Sequence, residues 1–443
     1  MSAEPGLPAT PVVLPVAARP TRTRRVVLGY LVALAFLTYL DRACLASIKP
    51  ALIADLHLTM DQMSAIFSAF ALAYGVFELP TGHWGDRIGR RRVLARIVAW
   101  WSVCTVATAA AFNYASLLII RFLFGMGEAG AFPNATAAIA RWVPVAEQGT
   151  AQGIFFAMAH CGGAVTPLIV GALLPVLGWR ALLILFGALG FLWIAAWWRG
   201  FRDDPAEHPA VNAGELALIA ADRPALADGA DLGWRSLRAL VTPSLVLLCL
   251  VYAANGYGFY FLITWLPDYL RSFHHFSDFE LQIYTGLPLF LSIPADLLGG
   301  RLSDLMGRRF GIRAGRTAIG VSGYLLAAIA VVASTWCTAP EWSAILFAIG
   351  AACSMATLGA TWSTCTTLGG HATGTIGALM NSTSQAGSFC SPLVLSFLVQ
   401  RYADWKLPIY VIGAFYAAAA VAWLFIDQRA AGERRTPPDS RSA

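Results

Sequence analysis

Charged side chains are scarce in this sequence, at 13% of 443 residues against 58% apolar ones. A water-soluble domain carries about 25% charged residues, so the deficit excludes a chain surrounded by water and directs it into lipid. Lysine is nearly missing: Lys49 and Lys406 are the only two among 31 basic residues. The arginines are spread over loops without forming one basic face, which argues against a nucleic-acid partner. The eight cysteines (Cys44, Cys104, Cys161, Cys249, Cys337, Cys353, Cys365 and Cys390) stand singly. With no C-x-x-C pair, neither a zinc site nor a disulfide framework is signalled. Also absent are H-E-x-x-H, G-x-S-x-G and a phosphate-binding glycine loop, so an enzyme finds no support and no metal or cofactor is expected.

Apolar runs fill the space that charge leaves. They fall at 26–48, 62–84, 93–111, 115–140, 150–177 and 181–199, and again at 244–270, 281–300, 317–337, 342–368, 373–400 and 407–427. Each approaches or exceeds the roughly 20 residues that cross a bilayer as a helix. In lipid every backbone amide must be satisfied within its own segment, so the expected fold is all-α, with twelve transmembrane helices. Residues 1–24 are polar and proline-rich and read as a disordered tail, and the run after them as a retained span. The one long polar connection, 201–242, divides a first six-helix bundle at 25–200 from a second at 243–428, with a second tail at 429–443. Counted by side, 24 Lys and Arg residues fall on the face bearing both termini and 5 on the other. By the positive-inside rule both termini are expected in the cytoplasm, in an inner or plasma membrane.

The two halves repeat one another. The stretch Gly82-His83-Trp84-Gly85-Asp86-Arg87-Ile88-Gly89-Arg90-Arg91 is matched 218 residues later by Gly300-Arg301-Leu302-Ser303-Asp304-Leu305-Met306-Gly307-Arg308-Arg309. The first copy resembles the signature loop of the major facilitator superfamily, G-x-x-x-D-R-x-G-R-R-K/R. That resemblance implies two similar six-helix bundles rocking about a midplane site. A gating or structural role is assigned to Gly82, Asp86, Arg87, Gly89, Arg90, Gly300, Asp304 and Arg308, because small glycines let helices approach and the charges can hold helix ends.

Among the charged residues inside the apolar runs are Asp41 and Arg42 in the first and Arg121 and Glu128 in the fourth. A charge near the bilayer centre costs at least about 2.5–3.5 kcal/mol, so such groups usually face a cavity and serve function. At about 1.5 Å of rise per residue, Arg42 and Arg121 reach similar depth, and Glu128 sits two turns beyond Arg121 on the same face. Two guanidiniums in a cavity suit a carboxylate ligand. The alternative is that Asp41–Arg42 and Arg121–Glu128 are self-neutralising pairs that only orient helices.

Tyr39-Leu40-Asp41-Arg42 and the run Arg121 to Asn134 resemble the anion:cation symporter family within that superfamily. Trp142-Val143-Pro144, Gly178-Trp179-Arg180 and Thr264-Trp265-Leu266-Pro267 support the likeness, as do His208-Pro209 and Glu215-Leu216. The resemblance implies proton carriage by Asp41 and Glu128 and binding of a substrate carboxylate by Arg42. Arg121 is assigned to tuning Glu128, with substrate contact as a further role. Tyr39, Tyr74, Trp362 and Asn381 match positions that hydrogen-bond substrate, whereas His160 reads as a structural polar group. Two departures stand out: Glu78 replaces the family's Gln before Leu79-Pro80, and helix 10 lacks an acid after Trp362. Asp296 holds the place equivalent to Glu78, and both acids are expected to join the cytosolic gate. The expected function is proton-coupled symport of a small organic anion by a monomer in the lipid bilayer. Proton-driven antiport or export of amphipathic or anionic compounds is the alternative.

Overall fold

A computed structural model describes residues 19–220 and 241–428. The tail calls at 1–18 and 429–443, and residues 221–240 of the central connection, lie outside the described residues. Every regular element among those described is helical. The first half contains α1 (Thr23–Ser47), α2 (Lys49–Leu56), α3 (Met60–Ile88), α4 (Arg90–Thr108), α5 (Tyr114–Glu128), α6 (Ala131–Trp142) and α7 (Gln148–Gly200). After α8 (Ala213–Ala220) come α9 (Pro243–Thr264), α10 (Leu266–Ser272), α11 (Asp278–Phe310) and α12 (Ile312–Ser334). The chain ends through α13 (Pro340–Met355), α14 (Leu358–Gly369), α15 (Thr373–Tyr402) and α16 (Lys406–Phe425).

Among the described residues, nine helical stretches are long and apolar enough to cross a membrane. Two of them, Val145–Gly200 and Pro340–Tyr402, run to 56 and 63 residues, twice what one crossing needs. The first folds back at Gly178, whose φ of 72° interrupts α7, and the second at Gly370, with φ 54°. The arginine-headed α4, too charged at its start to stand out by hydropathy, supplies the remaining pass. This yields twelve crossings.

The repeat extends to how helices begin. Thr59 and Gln62 form a reciprocal capping box at the start of α3, and Ser277 and Glu280 do the same for α11, 218 residues later. The chain leaves α3 through Gly89 (φ 92°, ψ 144°) and leaves α11 through Gly311 (φ 94°, ψ 146°). Sequence spacing aligns Gly89 with Gly307 instead. The structure differs because α11 continues past Gly307 for one more turn, with Gly315 of α12 packed against it.

Residues 19–24, read from sequence as the end of a loose tail, are tied to α8. The buried Glu215 carboxylate accepts from Thr21 Oγ1 (2.5 Å), the Thr23 amide (3.1 Å) and the Arg24 amide (3.0 Å), so it caps α1. Burial acts to raise the Glu215 pKa, but these hydrogen bonds outweigh it and hold the carboxyl below its usual value. A depressed folded pKa contributes stability that is present above the ordinary Glu range and lost as pH falls through the depressed value. Glu215→Ala is expected to cost about 2 kcal/mol and to speed tryptic cleavage at Arg22 and Arg24. Unchanged cleavage would show that the cap does not hold this segment.

Candidate functional site

The fourth crossing is not one helix. α5 ends at Glu128, Ala129 leaves the helical region (ψ 134°), and Gly130 takes φ 84° before α6 begins. A Cβ at Gly130 would lie 2.7 Å from Thr81 of α3, so glycine is required for both conformation and space. Asn134 fastens the break, donating to the Gly130 carbonyl at 2.8 Å and the Thr81 carbonyl at 3.2 Å. Corresponding breaks interrupt the seventh crossing at Trp265 and the tenth at Ala356–Thr357. Broken helices at membrane depth leave polar groups facing a cavity, where ligands are commonly held.

Glu128, at the break, is fully buried and accepts from Arg42 Nε at 2.9 Å. The ion pair crosses between α1 and α5, unlike the Asp41–Arg42 and Arg121–Glu128 pairs that were the alternative reading of the sequence. Neither Asp41 nor Arg121 has an ion pair within 4.0 Å among the described residues. Adjacent residues on one helix diverge by about 100°, so Arg42 turns toward α5 while Asp41 is buried near Arg121. Both guanidiniums flank the Phe70 ring, at 5.3 Å for Arg42 and 5.4 Å for Arg121. Arg42 also lies over Tyr74 (4.7 Å) and Tyr39 (5.6 Å), and Arg121 over Phe124 (4.0 Å).

The cluster is charged and under-satisfied. Arg42 Nη2, Arg121 Nε, Glu128 Oε1 and Asp41 Oδ1 are buried without hydrogen-bond partners. Buried polar atoms are normally paired, and a set of orphans is what a site awaiting ligand or proton leaves behind. The Arg42 side chain keeps 24% exposure while Glu128 has none, so the guanidinium meets the open side.

Other candidates sit further out. Tyr39 connects edge-to-face through Phe132 to Phe156, whose ring stacks near Trp362 at 5.8 Å across the two halves. Trp362 donates to Tyr252 and touches none of the four charges. Asn381 donates at 2.5 Å to Glu78, whose second oxygen is orphaned. Asp296 meets His160 at 2.7 Å. Both acids therefore reach across to the other half, as α3–α15 and α7–α11 contacts.

The repeated loops close the same end of the molecule. Asp86 accepts from the Gly374 and Thr375 amides (3.0 and 2.7 Å) at the start of α15, and is paired with Arg90 at 2.6 Å. Asp304 accepts from the Gly149 and Thr150 amides (3.0 and 2.6 Å) at the start of α7. Each carboxylate thus caps a helix of the opposite half, at the positive end of its dipole. Thr366 donates to Gln148 at 2.9 Å beside them. Gly82 abuts Gly374, and Gly300 abuts Gly149. Gly89 makes the turn described above, while Arg87 and Arg308 are exposed at this end. One apolar cluster runs through both halves, but another (Leu40, Cys44, Ile66, Leu117, Val170, Leu182) contains first-half residues alone. These contacts join the halves at the repeated-loop end.

Sequence reasoning passed over Phe70, the helix break and the partners of Glu78 and Asp296. The glycines at 125, 127 and 130 with Pro133 were the available signal for the break.

A family model described as the Major Facilitator Superfamily matches residues 31–392 and, in a second match, 248–442. A probable sulfoacetate transporter of Cupriavidus necator is 33% identical over 410 residues, covering 92% of this chain and 94% of that protein. A probable L-galactonate transporter of Escherichia coli is 26% identical over 416 residues, covering 92% and 91%. The solved structure of a proton:xylose symporter bound to 6-bromo-6-deoxy-D-glucose superposes with TM-score 0.72 at 15% identity, over 91% of this chain and 97% of that one, a likeness of fold. With a family match over most of its length and two broken-helix bundles to house it, the chain belongs to the Major Facilitator Superfamily, as a multi-pass membrane transporter and not an enzyme.

Proposed function

We propose that the protein carries a small organic anion by proton-coupled symport, with the repeated-loop end and both termini in the cytoplasm. The observation that carries this reading is the Arg42–Glu128 pair with Arg121 beside it on the same Phe70 ring. An arriving carboxylate or sulfonate competes with Glu128 for Arg42, and a proton on Glu128 releases the guanidinium to the ligand. Substrate and proton therefore favour each other's binding, which is what symport requires. Asp41 takes the second proton-carrying role, with Arg121 holding the site's charge balance. Relatives named for sulfoacetate and L-galactonate support an anion of this size. Sulfoacetate bears two anionic groups, and two guanidiniums with unpartnered N–H groups suit such a ligand.

Uptake of labelled sulfonates and sugar acids into proteoliposomes, with and without an inward proton gradient, tests the reading. Gradient-driven accumulation of one acid, abolished in Glu128→Gln while exchange persists, is the expected outcome. Binding and exchange indifferent to the gradient would overturn proton coupling, and accumulation driven by an outward gradient would favour antiport.

A further inference from the structure

Glu78 and Asp296 hold equivalent places in the two halves, yet their partners differ in kind. Glu78 is held by an amide, whereas Asp296 faces an imidazole, His160 Nδ1, at 2.7 Å. The His160 and Asp296 side chains are 3% and 0% exposed, and Asp296 Oδ1 has no partner. An ionised carboxylate beside a neutral imidazole would leave a net charge in this dry seam with one oxygen bare. Burial disfavours that state strongly, so the closed pair is net neutral and holds one proton more.

Among the described residues, the surroundings supply no other neutralising charge. From α1, Tyr39 stands edge-on to His160 at 6.0 Å, and from α9, Phe259 lies at 6.1 Å. On the α14 side α11 meets the backbone of Ala356 at Gly299, and on α7 it meets Gly153. Arg42 and Glu128 lie beyond Tyr39 and are committed to each other. The pair bridges α7 and α11, which part when the halves rock open at the repeated-loop end.

We propose that the Asp296–His160 pair is a proton-dependent interlock of the gate at the repeated-loop end. Closed, it retains one proton between Nδ1 and Oδ2. Opened to water, a hydrated carboxylate no longer needs the proton to offset burial, so opening releases that proton to the aqueous side it faces. Acidity on that side therefore holds the gate shut. This uses the orientation given under Proposed function but not proton symport. On that orientation the cytoplasm is the side sensed, and the gate closes as the interior acidifies.

The test places spin labels at Arg92→Cys and Ala314→Cys, exposed positions on opposite halves at this end, in a background with native cysteines replaced by Ser. Distance distributions are recorded in nanodiscs with no substrate and no gradient. The open fraction is expected to rise with pH, its equilibrium constant by up to about tenfold per unit. Because Glu78 is a second buried acid in the seam, all variants carry Glu78→Gln. In that background Asp296→Asn should flatten the response, whereas His160→Gln still leaves an acid to be buried and should shift the midpoint while retaining it. A pH response unchanged by Asp296→Asn, or absent in the Glu78→Gln parent, overturns the interlock. Should Asp296→Asn fail to fold, Asp296→Thr decides in its place. Because neither substrate nor gradient is present, failure here is separable from failure of the uptake experiment.

Discussion

Arg42→Ala is expected to abolish uptake and to destabilise the protein by about 3–5 kcal/mol, because it strands the Glu128 carboxylate in a buried site. Glu128 has no exposure, its other oxygen is already unpartnered, and Arg121, the other guanidinium of the cluster, makes no ion pair with it within 4.0 Å. The pair Arg42→Met with Glu128→Gln removes both charges together and should recover most of the lost stability. It should recover no transport, since the anion then meets no guanidinium on α1. Thermal unfolding in detergent and proteoliposome uptake, measured on the single and double variants, separate the two roles. Uptake restored with stability in the double variant would reduce the pair to a helix-orienting contact. Arg42→Lys keeps charge but not the planar fork, and is expected to bind anion poorly while folding well.

Gly82→Val is expected to bias the molecule toward opening at the repeated-loop end. A Cβ there would stand 2.5 Å from the Gly374 carbonyl oxygen and 2.7 Å from Ala378 Cβ. The nearer atom is helix backbone, which cannot rotate aside as a flexible side chain would. Overpacking of this kind costs about 1–3 kcal/mol, a shift of roughly 5- to 150-fold against the closed state. Because only the closed state brings α3 and α15 together, the cost falls on that state and not on the fold. Faster labelling of a cysteine placed within the seam, with an unchanged unfolding temperature, is the expected signature. Slower labelling, or a loss of stability with no change in labelling, would show that α3 and α15 stay in contact throughout the cycle.

Much of the architecture is legible from sequence because the bilayer allows few solutions. Apolar run lengths, the Gly82 and Gly300 repeats and the intramembrane charges each follow from the cost of burying polar groups in lipid. What sequence does not resolve is pairing. Helical rise brings Arg42 and Arg121 to one depth, but whether Arg42 turns to Asp41 or to Glu128 depends on helix rotation, which no period specifies. The break after Glu128 was hidden for a related reason: α5 and α6 are continuous in hydropathy, and only the positive φ of Gly130 separates them. Sequence assigns Glu78 and Asp296 to the gate but does not name their partners, Asn381 and His160, which lie 303 and 136 residues away. Long-range partners of that kind leave no local mark.

The seam between the halves consists of two zones that water would treat differently. Toward the loops it is made of carboxylate–amide contacts at Asp86 and Asp304, the Gln148–Thr366 bond and glycine backbone. Every group there can exchange its partner for a solvent molecule at small cost, so wetting of this zone is close to neutral and reversible. Deeper, Glu78–Asn381 and Asp296–His160 have no exposure to speak of, and Phe156 meets Trp362 above them. Water entering that layer must hydrate apolar rings and separate orphan-bearing acids in one step. Opening is thereby divided into a shallow stage that fluctuates freely and a deep stage with a threshold, and solvent reaches the arginines from this side only after the second.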